Sequence, residues 1–163
     1  MRPAFGILWL VLGLGLGGCA PGPSNTPATE AAGEEMRHIR AECEDLRKKG
    51  EIKTLESTES CANPRIVAAY QQAGYPYMDL IRFAAAARLA GAEKVDNGEI
   101  SEAEYNRQRL VLRDRVADEI RHRNAEAAAP GQQSAALPSG AGALDPDTEA
   151  RLVKGLPAFS DLR

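Results

Sequence analysis

Tryptophan, histidine and long apolar runs are nearly missing from this 163-residue chain: one Trp, two His and 5% aromatic residues in all. The only Trp, Trp9, lies in the apolar opening stretch, which runs from Pro3 to Leu16. That stretch is shorter than the ~20 residues a helix needs to cross a bilayer, so it does not read as a membrane span. His38 stands between Arg37 and Ile39, and His122 between Arg121 and Arg123. Neither is near a recognisable nucleophile motif. No G-x-S-x-G, H-E-x-x-H or Gly-rich phosphate loop occurs, and catalytic residues, metal and cofactor are all expected to be absent. Charge of one sign is also lacking: 20 Lys+Arg oppose 23 Asp+Glu, a net −3 that suggests no nucleic-acid partner.

Against those absences stands a structured amino terminus. Arg2 supplies a positive start, the apolar stretch follows, and small residues lead to Leu16-Gly17-Gly18-Cys19. This order is that of a secretory signal. Leu16-Gly17-Gly18-Cys19 also resembles the lipobox of bacterial lipoproteins. The resemblance implies cleavage after residue 18, a diacylglycerol on the Cys19 sulfur and usually an acylated new amino group. Two or three acyl chains suffice for stable anchoring. Ala20 stands where an inner-membrane retention signal would place Asp, so the resemblance implies the periplasmic face of an outer membrane. The mature chain would keep 19 basic and 23 acidic residues, a charge near −4.

Export implies an oxidising compartment, where the remaining pair, Cys43 and Cys61, is expected to form a disulfide. Closing that loop contributes about 3 kcal/mol in the chain-entropy model.

Four segments follow from composition: residues 1–18 as signal, 19–33 as flexible tether, 34–127 as a helical domain and 128–163 as a largely disordered tail. The expected fold is all-α, a small bundle of about four helices. Met36, Ile39, Cys43 and Leu46 place an apolar stripe on a first helix over about 34–49, stopped at Gly50. The pattern then breaks over Glu51–Ser60, and Asn63-Pro64 reads as the cap and first residue of a short helix ending at Gly74. A third helix from Pro76 to Val95 is apolar on several faces and is expected to be central. Ser101 and Glu104 form a capping box, with Ile100 and Tyr105 as hydrophobic staple, opening a last helix marked by Leu112, Val116 and Ile120. Thr148–Lys154 has room for a turn or two.

Glu93 to Glu104 resembles an EF-hand calcium loop over its second half. Val95 stands where a ligand is required, however, and the cap and staple account for the matching residues, so a helix corner is expected instead. Tyr70, Tyr75 and Tyr77, with Gln71, Gln72 and Asp79, form a candidate binding surface, although such residues more often pack the ends of short helices. Asp79 is expected to cap its helix or pair with Arg82. The arginines from Arg107 to Arg123 alternate with acids and read as an ion-paired face.

The mature part resembles the small helical envelope lipoproteins, a likeness of architecture alone. The expected role is a non-catalytic interaction module, anchored in the bilayer through Cys19, with an envelope protein as partner. The alternative is a small-ligand or cell-wall binding protein with a pocket beside the tyrosines. An exposed apolar stripe would favour the first, and a concave aromatic pocket the second.

Overall fold

The computed structural model describes residue 24 and residues 26–129 and 143–159. Cys19 and the signal segment lie outside the described residues, as does most of the stretch between the last long helix and residue 145.

Among the described residues the fold is all-α, with no strand: α1 Pro27–Lys48, α2 Leu55–Gln72, α3 Met78–Asp96, α4 Glu102–Ala128 and α5 Pro146–Val153, then a 3₁₀ turn at Pro157–Phe159. Cys43 of α1 and Cys61 of α2 are joined by a disulfide. Beside it Ile39, Ala62 and Ile66 form a small buried cluster between the two helices. α2 packs on α1, α3 on α2 and α4 on α3, while the 3₁₀ turn packs on α3 and α5 on α4. The third helix is thus the centre of the molecule, as its many apolar faces require.

Three boundaries differ from those read in the sequence. α1 begins well ahead of Glu34, inside the expected tether. Thr26 and Thr29 form a reciprocal cap (Thr29 N to Thr26 Oγ1, 3.2 Å; Thr26 N to Thr29 Oγ1, 2.9 Å), and Pro27 takes the first turn, where its missing N–H costs nothing. Thr29 also donates to the Ser24 carbonyl at 2.7 Å, and Asn124 of α4 donates to the Ser24 hydroxyl at 2.6 Å. The chain is therefore tied to the bundle from Ser24 onward.

The second difference is α2. Asn63-Pro64 does not start it; Pro64 sits in its interior and Asn63 is buried. Thr54 caps the true start, accepting from Ser57 N at 3.0 Å. Asp96, at the end of α3, accepts from Leu55 N at 3.0 Å and Glu56 N at 2.7 Å. A carboxylate at a helix N-terminus satisfies orphan donors and complements the helix dipole. The buried residues Leu55, Thr58, Glu59, Ala62, Asn63 and Ile66 follow helical spacing, yet half of them are polar, so the stripe was invisible to hydropathy. Asn63 donates to the Ala85 carbonyl of α3 at 2.9 Å, which is a tertiary role rather than a cap.

The third is the tail. Asp145 caps α5 by accepting from Thr148 N at 2.9 Å. Leu152, Leu156, Ala158 and Phe159 are all buried in the main core with Tyr105 and Leu112. Ala158 N donates to Gln108 Oε1 at 2.8 Å, and Arg115 donates to the carbonyls of Leu152 (2.9 Å) and Lys154 (2.7 Å). Residues 143–159 are thus part of the fold, not of a disordered tail.

The α3–α4 corner forms as expected. Asn97 ends α3, Gly98 takes φ +75°, which suits glycine, and Ser101 Oγ accepts from Glu104 N at 3.1 Å. The Glu104 carboxylate does not return to the cap. It binds Arg107 instead, at 2.6 Å from Nη2 and 2.9 Å from Nε, which holds its pKa down at about 2.

A candidate binding groove

Helix α4 packs on α3, and α1 on α2, which leaves a cleft between α1 and α4. The cleft contains a cavity of about 400 Å³. Met36 and Arg40 come from α1, Ile81, Ala84 and Arg88 from α3, and Tyr70 and Tyr75 close one end. The α4 wall is Arg109, Leu110, Leu112, Arg113, Val116, Ala117 and Ile120. Arg109, Leu112, Arg113 and Val116 are the i, i+3, i+4 and i+7 positions of one helix face, which Ala117 and Ile120 continue, with Leu110 at its edge. The size falls within the ~300–1,000 Å³ of small-molecule sites, which are mostly apolar with a few polar groups.

The lining contains four guanidinium groups and no carboxylate. A mildly acidic chain has gathered positive charge at one apolar hollow. Arg40 and Arg88 lie 3.5 Å and 3.4 Å from Glu59 Oε2, which faces them from α2 with its side chain only 4% exposed. Arg113 pairs with exposed Asp114 at 2.9 Å. Arg109 stacks over the Tyr105 ring at 5.8 Å. Among the described residues, no carboxylate forms an ion pair with Arg109. Leu110, beside it, is 50% exposed, the one exposed large hydrophobic among the described residues.

Glu59 is the hub of the polar core beneath the groove. Tyr105 shares its hydroxyl between Glu59 Oε1 (3.1 Å) and the Arg88 carbonyl (3.2 Å). Arg88 donates to Asn63 Oδ1 at 3.0 Å, while Arg88 Nε and Glu59 Oε2 have no hydrogen-bond partner among the described residues. Burial, with the charge of Arg40 behind it, lowers the Arg88 pKa to about 10, still cationic at neutral pH.

The tyrosine group divides. Tyr70 and Tyr75 meet edge to face at 5.1 Å and line the groove, and burial pushes the Tyr75 hydroxyl above its ordinary range. Tyr77 is 1% exposed, packs against Tyr75 at 5.9 Å, and donates to Asn124 Oδ1 at 2.9 Å. As part of a surface it is excluded: Tyr77 is core. Asp79 pairs with Arg123 of α4 at 2.7 Å. Of the arginine series, Arg107, Arg113, Arg121 and Arg123 form ion pairs as expected, with Glu104, Asp114, Asp118 and both Asp79 and Glu119. Arg109 and Arg115 depart from it, one toward the groove and the other toward the tail carbonyls.

A second cavity, about 410 Å³, lies across Arg40 and Arg109 and includes Glu44, Arg47, Glu59 and Glu102. Its charges cancel locally: Arg47 lies 2.9 Å from Glu44 and 3.1 Å from Glu102. His122 is exposed, 3.4 Å from Glu126. The groove arginines were missed in the sequence because they come from three helices. The one local signal is Arg109 and Arg113 flanking Leu112 and Val116 on a single α4 face.

No family model matches this chain, and no curated protein or solved structure is similar to it.

Proposed function

We propose that this protein is a non-catalytic, lipid-anchored binding module of the cell envelope, and that its groove holds a small apolar ligand. The observation that carries this reading is the concave, mostly apolar hollow between α1 and α4, closed at one end by Tyr70 and Tyr75. It favours a ligand over a protein partner, since a concave apolar hollow suits a small molecule and a flat stripe suits a protein surface. The partner reading keeps one specific support, the half-exposed Leu110 at the groove edge.

N-Phenyl-1-naphthylamine, a neutral apolar dye, tests the groove directly. Its emission rises on binding to the full chain, and Ala117→Trp, which fills the hollow, abolishes the rise. Equal emission from the two proteins would reject the groove as a ligand site.

Anchoring rests on the lipobox residues and on cysteine chemistry. No helix among the described residues is long and apolar enough to cross a membrane. An outer membrane, periplasmic face, is the placement implied by Ala20. Cys19→Ser is expected to move the protein from the membrane to the soluble fraction, and unchanged sedimentation with membranes would reject the anchor.

A further inference from the structure

We infer that the groove ligand is a single-chain anionic amphiphile, a long-chain fatty carboxylate, with its head on Arg40, Arg88 and Arg109 and its chain between α3 and α4. This rests on the reading of the groove as a ligand site and adds the chemistry of what it takes.

The sign of the lining carries the inference. Four arginines and no acid line the hollow of a chain whose net charge is −3. Positive charge facing an apolar cavity favours an anion there, most of all at Arg109, with which no carboxylate among the described residues forms an ion pair, whereas exposed Arg113 pairs with Asp114. Glu59 offsets part of this from beneath, at 3.4–3.5 Å from Arg40 and Arg88. One carboxylate between two guanidiniums leaves an excess of positive charge, and Arg109 adds to it with only a ring beneath it. Arginine is less strongly hydrated than lysine, and its planar fork matches both oxygens of a carboxylate.

Three other ligand classes fit less well. A cation would meet four like charges. A free small anion would leave the apolar walls, such as Val116 and Ala117, exposed to water. A two-chain lipid is too large, since about 400 Å³ lies near the lower end of ligand sites. The second cavity, with paired charges of both signs, offers no such selection.

The test uses the full chain with the Cys19→Ser substitution, which removes the acylation site and leaves the groove intact. Calorimetry compares decanoate, decanol and decyltrimethylammonium, each below its micellar concentration. Decanoate is expected to bind about tenfold tighter than decanol, the gain of one charge-assisted contact set, and the ammonium more weakly than either. From octanoate to dodecanoate, affinity should rise about fourfold per added methylene. Arg109→Gln should remove the preference for decanoate while leaving decanol binding unchanged, and salt should weaken decanoate alone. If Arg109→Gln fails to fold, Arg40→Gln, which removes another of the three head contacts, gives the same readout. Equal affinity for decanoate and decanol would overturn the anionic head and leave the groove reading standing. Failure of all three ligands, together with no response of the neutral dye, would overturn both.

Discussion

Phe159→Ala is expected to lower the stability of the fold by about 3–5 kcal/mol, the usual cost of emptying a fully buried aromatic site. Phe159 has no solvent exposure and lies edge to face with Tyr105, ring centroids 6.3 Å apart. The same contact explains a glycine inside α3. A Cβ at Gly91 would stand 2.7 Å from Phe159 Cε1 and 2.7 Å from Tyr105 Cε2, closer than real carbons approach. Helix propensity alone would reward Gly91→Ala by about 1 kcal/mol, but overpacking at this spot costs about 1–3 kcal/mol, so the substitution should destabilise. Removing the Phe159 ring frees part of that space. The double variant should therefore lose less than the sum of the two single losses. Thermal melts by circular dichroism check all three proteins, with Phe159→Ala falling by about 10–20 °C. A change of less than about 2 °C would mean that residues 143–159 do not belong to the fold in solution.

Glu59→Gln should cost a similar amount, about 3–5 kcal/mol, although it keeps the side-chain volume almost unchanged. The carboxylate is the one anion beneath Arg40 and Arg88, and it also accepts from the Tyr105 hydroxyl. A neutral amide leaves two guanidiniums facing each other in a poorly solvated place. Arg88→Met placed on top of Glu59→Gln removes one of those charges, so the pair should be less destabilised than the two single losses added together. Urea unfolding of the four proteins completes the cycle. Additive losses would show that Glu59 and Arg88 are not coupled, and an unaffected Glu59→Gln would show that the buried charge does not hold the helices together.

Much of the helical pattern was legible along the chain. The spacing of Met36, Ile39, Cys43 and Leu46 marked α1. Ser101 marked the start of α4. Periodic apolar residues and capping side chains act within one or two turns, so sequence alone exposes them. The start of α1 was missed because a Thr–Thr cap with Pro27 resembles tether composition. The first half of α2 was missed because Thr58, Glu59 and Asn63 are polar on its buried face. Glu59 and Asn63 turn inward there because Arg40, Arg88 and Tyr105 arrive from other helices to satisfy them, while Thr58 donates back to the Thr54 carbonyl.

The candidate site was legible only in part. Tyr70 and Tyr75 were singled out and do line the groove, whereas Tyr77 serves the core. The alternation of acid and base along α4 concealed Arg109. Its relevance depends on the opposite wall, where Arg40 stands 69 residues earlier in the chain.

By itself the sequence determined an all-helical chain, its principal turns and the pairing of Cys43 with Cys61, because these depend on neighbours a few residues apart or, for the disulfide, on Cys43 and Cys61 being the pair left once Cys19 is read as the lipid cysteine. Tertiary structure alone decided that the tail docks through Phe159, that Glu59 is buried, and that one acid-free hollow gathers four arginines. Each of these is a meeting of helices distant in sequence, and shape and charge become complementary only once the helices pack.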